Sequence, residues 1–272
     1  VDHSPLSLPR SVLLALWLAE DPTSGAAAGP GHVQRVLDAV QGEDEPHRVV
    51  VGDGAGGLPD VGTAPGLAEL VAAWASGPRS VAAVLPVPGD AAGTPAVVAQ
   101  HAQAAGEAVL VTTPDGSWAA VPEVQRFGSV YEPGHLVTWR VLAVPDWEHA
   151  LAGNLGSLAD AEHDLTRALA RATDALVTLD LSRWRPEAAE QIAALRSTAD
   201  PGWRLPPGTE QRRVRVLTTA VRLRAIVALA TADDGAAVNV FQADQRTGAL
   251  RDVDHAARRA IAVATHPGPP TR

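Results

Sequence analysis

The strand signal in this chain of 272 residues stops at Val144, and from about Gly156 onward the apolar residues recur only at helical spacing. That switch fixes the fold class before any motif is considered. A sheet has to be built from the first half and covered in part by helices from the second. The sequence therefore predicts two units, a mixed α/β domain over residues 1–150 and a helical bundle over 151–272 packed against it. Pro145 to Ser157, with Gly153, Asn154 and Gly156, reads as the linker between them.

Within the first unit, Ser11-Val-Leu-Leu-Ala-Leu-Trp-Leu-Ala19 reads as a buried first helix, and a second short helix follows around His32 to Gln41. The β-branched run His47 to Val51, stopped by Gly52, is a strand. Gly66 to Ser76 is helical, Ser80 to Val87 a strand, Thr94 to Ala105 a helix and Glu107 to Thr113 a strand. Strand–helix–strand–helix–strand with short connections predicts three parallel strands with crossover helices. Thr113-Pro-Asp-Gly116 is a turn between two β-rich runs, and Leu136 to Val144 is a further strand, so the sheet is expected to be mixed. The second unit reads as four helices, Ser157–Leu179, Pro186–Thr198, Pro207–Ala232 and Ala249–Ala264. The third, apolar on nearly every side from Ala220 to Ala230, is expected at the centre.

Composition excludes more chemistry than it suggests. The chain has no lysine, cysteine or methionine, and all 22 basic residues are arginine. Schiff-base chemistry, a phosphate-loop lysine, thiol nucleophiles, disulfides and iron–sulfur ligation are closed to it. The bias towards Ala, Gly, Pro, Val and Arg is that of a GC-rich genome. A net charge of −9 argues against nucleic-acid binding. It is split unevenly, with 6 Arg against 17 acids before residue 157 and 16 Arg against 14 acids after it. No apolar run reaches membrane-spanning length. Residues 11–28 hold an apolar run followed by small residues, but only one Arg precedes the run and Glu20 and Asp21 follow it at once, so the chain is expected to be cytoplasmic rather than secreted.

The runs VLPVPGDAAGTP, AGEAVLVTTPDG, LVTWRVLAVP and RWRPEAAEQIAAL resemble those of an uncharacterised protein family of GC-rich actinobacteria. The resemblance covers most of the chain and implies no activity, ligand or site.

Four constellations bear on function. Gly52-Asp-Gly-Ala-Gly-Gly57 satisfies the dinucleotide-loop pattern after a strand, but Pro59 and Pro65 prevent a helix from following at once, and Asp53 and Asp60 repel phosphate. If the first three strands are parallel, Asp53, Asp90 and Asp115 leave them at one edge of the sheet, where carboxylates can hold Mg²⁺. Asp160, His163, Asp164, Arg167, Arg171 and Asp174 form a polar stripe on one helix, expected as a solvated ion-pair face, with Asp252, Asp254 and His255 as further polar groups on the last helix. Three Trp–Arg pairs (Trp139-Arg140, Trp184-Arg185, Trp203-Arg204) are expected as core anchors rather than ligand stacks. No catalytic signature emerges. The leading expectation is a non-catalytic cytoplasmic protein that binds a partner or small molecule between its two halves. The alternatives are a Mg²⁺-dependent hydrolase or transferase at the Asp53, Asp90 and Asp115 edge, and a structural homo-oligomer built on the helical bundle.

Overall fold

Helix α1 (Arg10–Leu18) is almost wholly buried, and its ends are satisfied from distant parts of the chain. Pro9 precedes it and supplies no side-chain cap, so the Ser11 N–H donates instead to the carboxylate of Glu107 at 2.7 Å. Burial pushes the Glu107 carboxyl above its ordinary pKa, opposed by its hydrogen bonds from Ser11 and by the charge of Arg10. At the other end, the Arg79 guanidinium donates to the carbonyls of Leu18 and Glu20. The computed structural model to which these distances belong describes residues 6–20, 30–52, 65–129, 131–178, 202–231 and 240–266. No helix among them is long and apolar enough to cross a membrane.

The elements that follow are α2 (Pro30–Gln41), β1 (Arg48–Val51), α3 (Leu67–Ala75), β2 (Ser80–Val84), α4 (Ala99–Ala105), β3 (Ala108–Thr113), β4 (Gly116–Gly128) and β5 (Pro133–Ala143). They form one five-stranded sheet in the order β1-β5-β4-β3-β2. Val81 to Val84, Ala108 to Val111 and Trp118 to Val121 are buried at every position, the mark of strands covered on both faces. Alternation along β5 sends Trp139 and His135 towards the side of α1 and α2. It sends Arg140 to the opposite side, where His101 of α4 and Arg140 both meet Glu123.

The sheet is mixed, as expected, but its first three strands are not parallel. β2 pairs β3 antiparallel, with Ser80 opposite Thr112 and Val84 opposite Ala108. The parallel pair is instead β1 with β5, while β3–β4 and β4–β5 are antiparallel. The reason lies in the connection after β2. Its helix, α4, has only seven residues, about 10 Å of rise, whereas retracing the strand would take about 16 Å. The chain spends the rest of that connection on turns, and so re-enters the sheet at the end where it left.

Three long helices follow: α6 (Leu158–Thr178), α7 (Gln211–Thr231) and α8 (Val240–Thr265). The helix expected at Pro186–Thr198 lies outside the described residues. The segment expected as a linker contains a further helix, α5 (Glu148–Leu155), because Trp147, Leu151 and Leu155 fall at four-residue steps and are all buried. The central position belongs to α8 rather than to α7. Residues Ala260 to Thr265 are all buried, whereas Ala228 of α7 is exposed. Small side chains let α8 approach the sheet closely. There the Thr265 hydroxyl accepts the Ala83 N–H of edge strand β2 at 2.8 Å, and His266 Nδ1 lies 3.2 Å from the Val81 carbonyl. Of the tryptophans expected as anchors, Trp139 is fully buried and Trp203 Nε1 donates to the Leu6 carbonyl at 2.6 Å, while Trp184 lies outside the described residues; Trp17 Nε1 donates to the Arg204 carbonyl at 2.9 Å.

A buried polar cluster ties the α1–α2 side to the sheet. Trp139 Nε1 donates to His47 Nδ1 at 3.1 Å, which leaves the His47 proton on Nε2, facing Asp44 at 3.4 Å. Asp44 also accepts from Arg10 at 2.5 and 3.0 Å and lies 3.2 Å from His135 Nδ1. Burial, assisted by Arg10 and opposed by Asp44, pushes the His47 imidazole down to about 4 from an ordinary 6.5. The unfolded chain therefore takes up this proton first as pH falls. Stability is intact above pH 6.5 and is lost progressively down to about pH 4, by about 3 kcal/mol from this group. His47→Gln keeps a donor and an acceptor without the titration. Urea unfolding at stepped pH is expected to show a shallower loss of stability for H47Q than for wild type in that window. Buried His32, also shifted down, contributes equally to both proteins and cancels in the difference.

Candidate functional site between the sheet and the last helix

The segment leaving β2 makes two turns in succession. Val87 and Asp90 exchange backbone hydrogen bonds of 2.9 Å around Pro88 and Gly89, whose φ is +86°. Proline at the first corner and a left-handed glycine at the second make a type II turn. The next turn is closed by the Thr94 N–H on the Ala91 carbonyl at 2.8 Å, with Ala92 at φ +50° and Gly93 at +81°. Ala92 is the one non-glycine with positive φ among the described residues, a conformation costing about 1–2 kcal/mol for an L-residue. It is held by its N–H, which donates to Asp90 Oδ1 at 3.0 Å. A side chain at Gly93 would be strained by the φ of +81°, and its Cβ, 2.6 Å from Leu151 Cδ1, would also force Leu151 to shift.

These turns present the Asp90 carboxylate to α8. The Arg258 guanidinium is only 4% exposed and uses all three nitrogens: Nη2 to Asp90 at 2.8 Å, Nε to Asp254 at 2.6 Å and Nη1 to the Leu85 carbonyl at 3.0 Å. Asp254 also accepts from Arg224 of α7 at 3.2 Å. Asp90 Oδ2 further meets His255 Nδ1 at 2.7 Å. The result is a ladder, Arg224–Asp254–Arg258–Asp90–His255, that joins both long helices to the end of β2. Burial opposes ionisation of Asp90, but hydrogen bonds from His255, the Ala92 N–H and Arg258 outweigh it and hold the carboxyl at about 2. The acid is therefore ionised across the physiological range.

Cavities lie on both sides of this ladder. One of about 780 Å³ opens between the Val87–Asp90 turn, α7 and α8, with Val227, Ala228 and Leu250 as its apolar wall and Arg224, Arg251 and His255 among its polar groups. A second of about 600 Å³ opens towards α5, bounded by Ala92, Gly93, Leu151 and Arg259. Asp90, His255 and Arg258 border both.

Of the three carboxylates expected to share one sheet edge, Asp90 and Asp115 are not brought together. Because β2 and β3 are antiparallel, Asp90 and Asp115 lie at opposite ends of the sheet. Asp115 is an exposed turn residue whose N–H meets the Thr113 hydroxyl at 3.2 Å, and Asp53 lies outside the described residues. Among the described residues no group of three or more His, Asp or Glu side chains is placed to hold a metal ion. What the structure does bring together is Asp90 with Asp254 and His255, polar groups that the sequence offers separately. Arg258 and Arg224, which complete the ladder, carry no sequence signal beyond the four-residue spacing of Asp254 and Arg258. In the polar stripe of α6, Asp164 and Arg167 form an ion pair as expected, and the helix is also joined to its neighbours by such pairs. Asp164 pairs with Arg167 at 2.5 Å and with Arg259 of α8 at 3.1 Å, Glu162 pairs with Arg212 of α7 at 2.8 Å, and Asp160 forms a capping box with Ser157. Of the dinucleotide-like loop only Gly52 is described, and its N–H donates to the Val141 carbonyl at 2.8 Å.

Residues 11–154 match the N-terminal domain of Rv1486c-like proteins and residues 159–262 match their C-terminal domain, so the two matches meet between α5 and α6. The uncharacterised protein Rv1486c of Mycobacterium tuberculosis (strain ATCC 25618 / H37Rv) is 30% identical over 282 residues, covering 92% of this chain and 93% of that protein. The uncharacterised protein MT1533 of the CDC 1551 / Oshkosh strain matches with the same identity and coverage. No solved structure gives a significant match. With both family domains matched in order along the chain, this protein belongs to the Rv1486c-like family.

Proposed function

We propose that this protein is a cytoplasmic small-molecule-binding protein whose ligand sits in the cleft between the α/β half and the helical half. The observation that carries the reading is the cavity of about 780 Å³, walled by the turn after β2 on one side and by α7 and α8 on the other. Its size falls in the range of metabolite pockets, and an apolar wall with a few convergent polar groups is their usual lining. Two further features support it. The ladder through Arg258 positions its charged groups without a ligand, so little side-chain entropy remains to be lost on binding. The strained Ala92 turn sits beside the same groups, where backbone strain is most often found. The net charge of −9 favours a small molecule over nucleic acid as the occupant.

Ala228 is exposed on the α7 wall of the cavity, so Ala228→Trp fills the space without disturbing the core. In a thermal-shift screen of common metabolites, wild type is expected to give at least one saturable rise in melting temperature. A228W is expected to lose that rise while melting within about 2 °C of wild type in the absence of ligand, since surface changes cost about 0.5 kcal/mol or less. A screen without hits on wild type, or hits that A228W retains, overturns the reading. The ladder itself is tested by Arg258→Met, which strands the Asp90 carboxylate in a half-buried position. Denaturant unfolding is expected to show a loss of about 3–5 kcal/mol, as for other buried ion pairs deprived of one partner. Asp90→Asn in the same background is expected to recover part of it.

A further inference from the structure

Resting on the cleft as a small-molecule site, we propose that its ligand is a hydroxy-carboxylate with a short hydrocarbon chain. Its carboxylate docks on Arg251, its hydroxyl donates to His255, and its chain lies on Val227, Ala228 and Leu250.

The argument starts from the polarity of the His255 ring. An ionised carboxylate only accepts hydrogen bonds, so the 2.7 Å contact with Asp90 places a proton on His255 Nδ1. In the neutral imidazole the opposite nitrogen, Nε2, then carries the lone pair. It meets no hydrogen-bond donor among the described residues, and the side chain is 59% exposed where the two cavities adjoin. The ring thus asks for a ligand donor, an O–H or N–H. Asp90 holds the ring in place and is itself braced by Arg258 and the Ala92 N–H.

Arg251 lies four residues before His255 on α8, hence on the same helix face one turn away, and it borders the larger cavity. Among the described residues it makes no ion pair. The other arginines bordering this cavity are engaged, Arg224 by Asp254 and Arg258 by Asp254 and Asp90. Those contacts also use up two of the lining acids. The third, Asp252, follows Arg251 directly and projects about 100° further round the helix. Arg251 therefore presents guanidinium donors that match a carboxylate.

A guanidinium fork and an imidazole one helical turn apart, with Cβ atoms about 5–6 Å from each other, suit an acid and a hydroxyl on neighbouring carbons. The pair discriminates against other classes. An amine is repelled by Arg251, and a phosphate dianion sets oxygen lone pairs against that of Nε2.

The test uses three probes of equal chain length, 2-hydroxyhexanoate, hexanoate and 1,2-hexanediol, titrated into the full chain by calorimetry and by amide NMR. Wild type is expected to bind 2-hydroxyhexanoate about tenfold or more tightly than either probe lacking one group, as a charge-assisted or well-made hydrogen bond provides. Arg251→Gln is expected to remove the advantage over the diol and His255→Leu the advantage over hexanoate. Arg251 is exposed, so R251Q is expected to melt as wild type does, whereas H255L gives up the hydrogen bond to Asp90 and is expected to melt somewhat lower while staying folded at the titration temperature. Equal binding of all three probes, or affinity for 2-hydroxyhexanoate unchanged in both variants, overturns the ligand class while leaving the cleft a small-molecule site. Absence of binding by every probe also overturns the class, and the cleft itself is then decided by the A228W screen.

Discussion

Arg258 is the residue on which the two halves depend. A guanidinium buried to this degree is tolerable only when its donors are met, and here they are met by three different parts of the chain: the carbonyl at the end of β2, the carboxylate on the turn beyond it, and an acid one helical turn earlier on α8. Each contact fixes something different. The Leu85 contact sets the depth of α8 against the sheet, the Asp90 contact pins the double turn, and the shared Asp254 carboxylate draws Arg224 and α7 alongside. Lysine, absent from this chain, has a single nitrogen and cannot hold three such separated acceptors in one plane.

This arrangement joins fold to site. The contacts that dock the helices on the sheet also place His255 against Asp90 at the border of two cavities. The left-handed Ala92 fits the same logic. Its strain is offset because the turn it closes brings its own N–H onto the carboxylate that Arg258 and His255 share.

Much of this fold is legible in the sequence, and the failures have identifiable causes. Runs such as His47 to Val51 and Glu107 to Thr113 reveal strands because their β-branched residues are bounded by turn residues. The direction of β2 against β3 is not written there. It depends on whether the connecting helix is long enough to retrace a strand, and the Thr94 to Ala105 pattern overstates α4, whose first regular turn begins only at Ala99. That one reversal separates Asp90 from Asp115. α5 was hidden by Gly153 and Gly156, although Trp147, Leu151 and Leu155 already mark its buried face. In the site, Asp90 is visible because Pro-Gly-Asp makes a turn at a strand end, and His255 because it stands with Asp252 and Asp254 in a polar patch of the last helix. Their contact, 165 residues apart in sequence, follows only from the docking of α8.

The seal on the outer edge of β2 has a consequence for how the molecule comes into being. Ala83 and Val81 meet partners on Thr265 and His266, more than 180 residues later in the chain. During synthesis the sheet is thus complete in its strands long before its edge is closed, and the nascent first half carries an open β-edge until the final helix has emerged. Contacts of such long sequence separation also slow folding, because the loop they close is ordered before it is rewarded. The last helix is therefore both the centre of the bundle and the latch of the sheet, and that edge cannot close before Thr265 and His266 have been made.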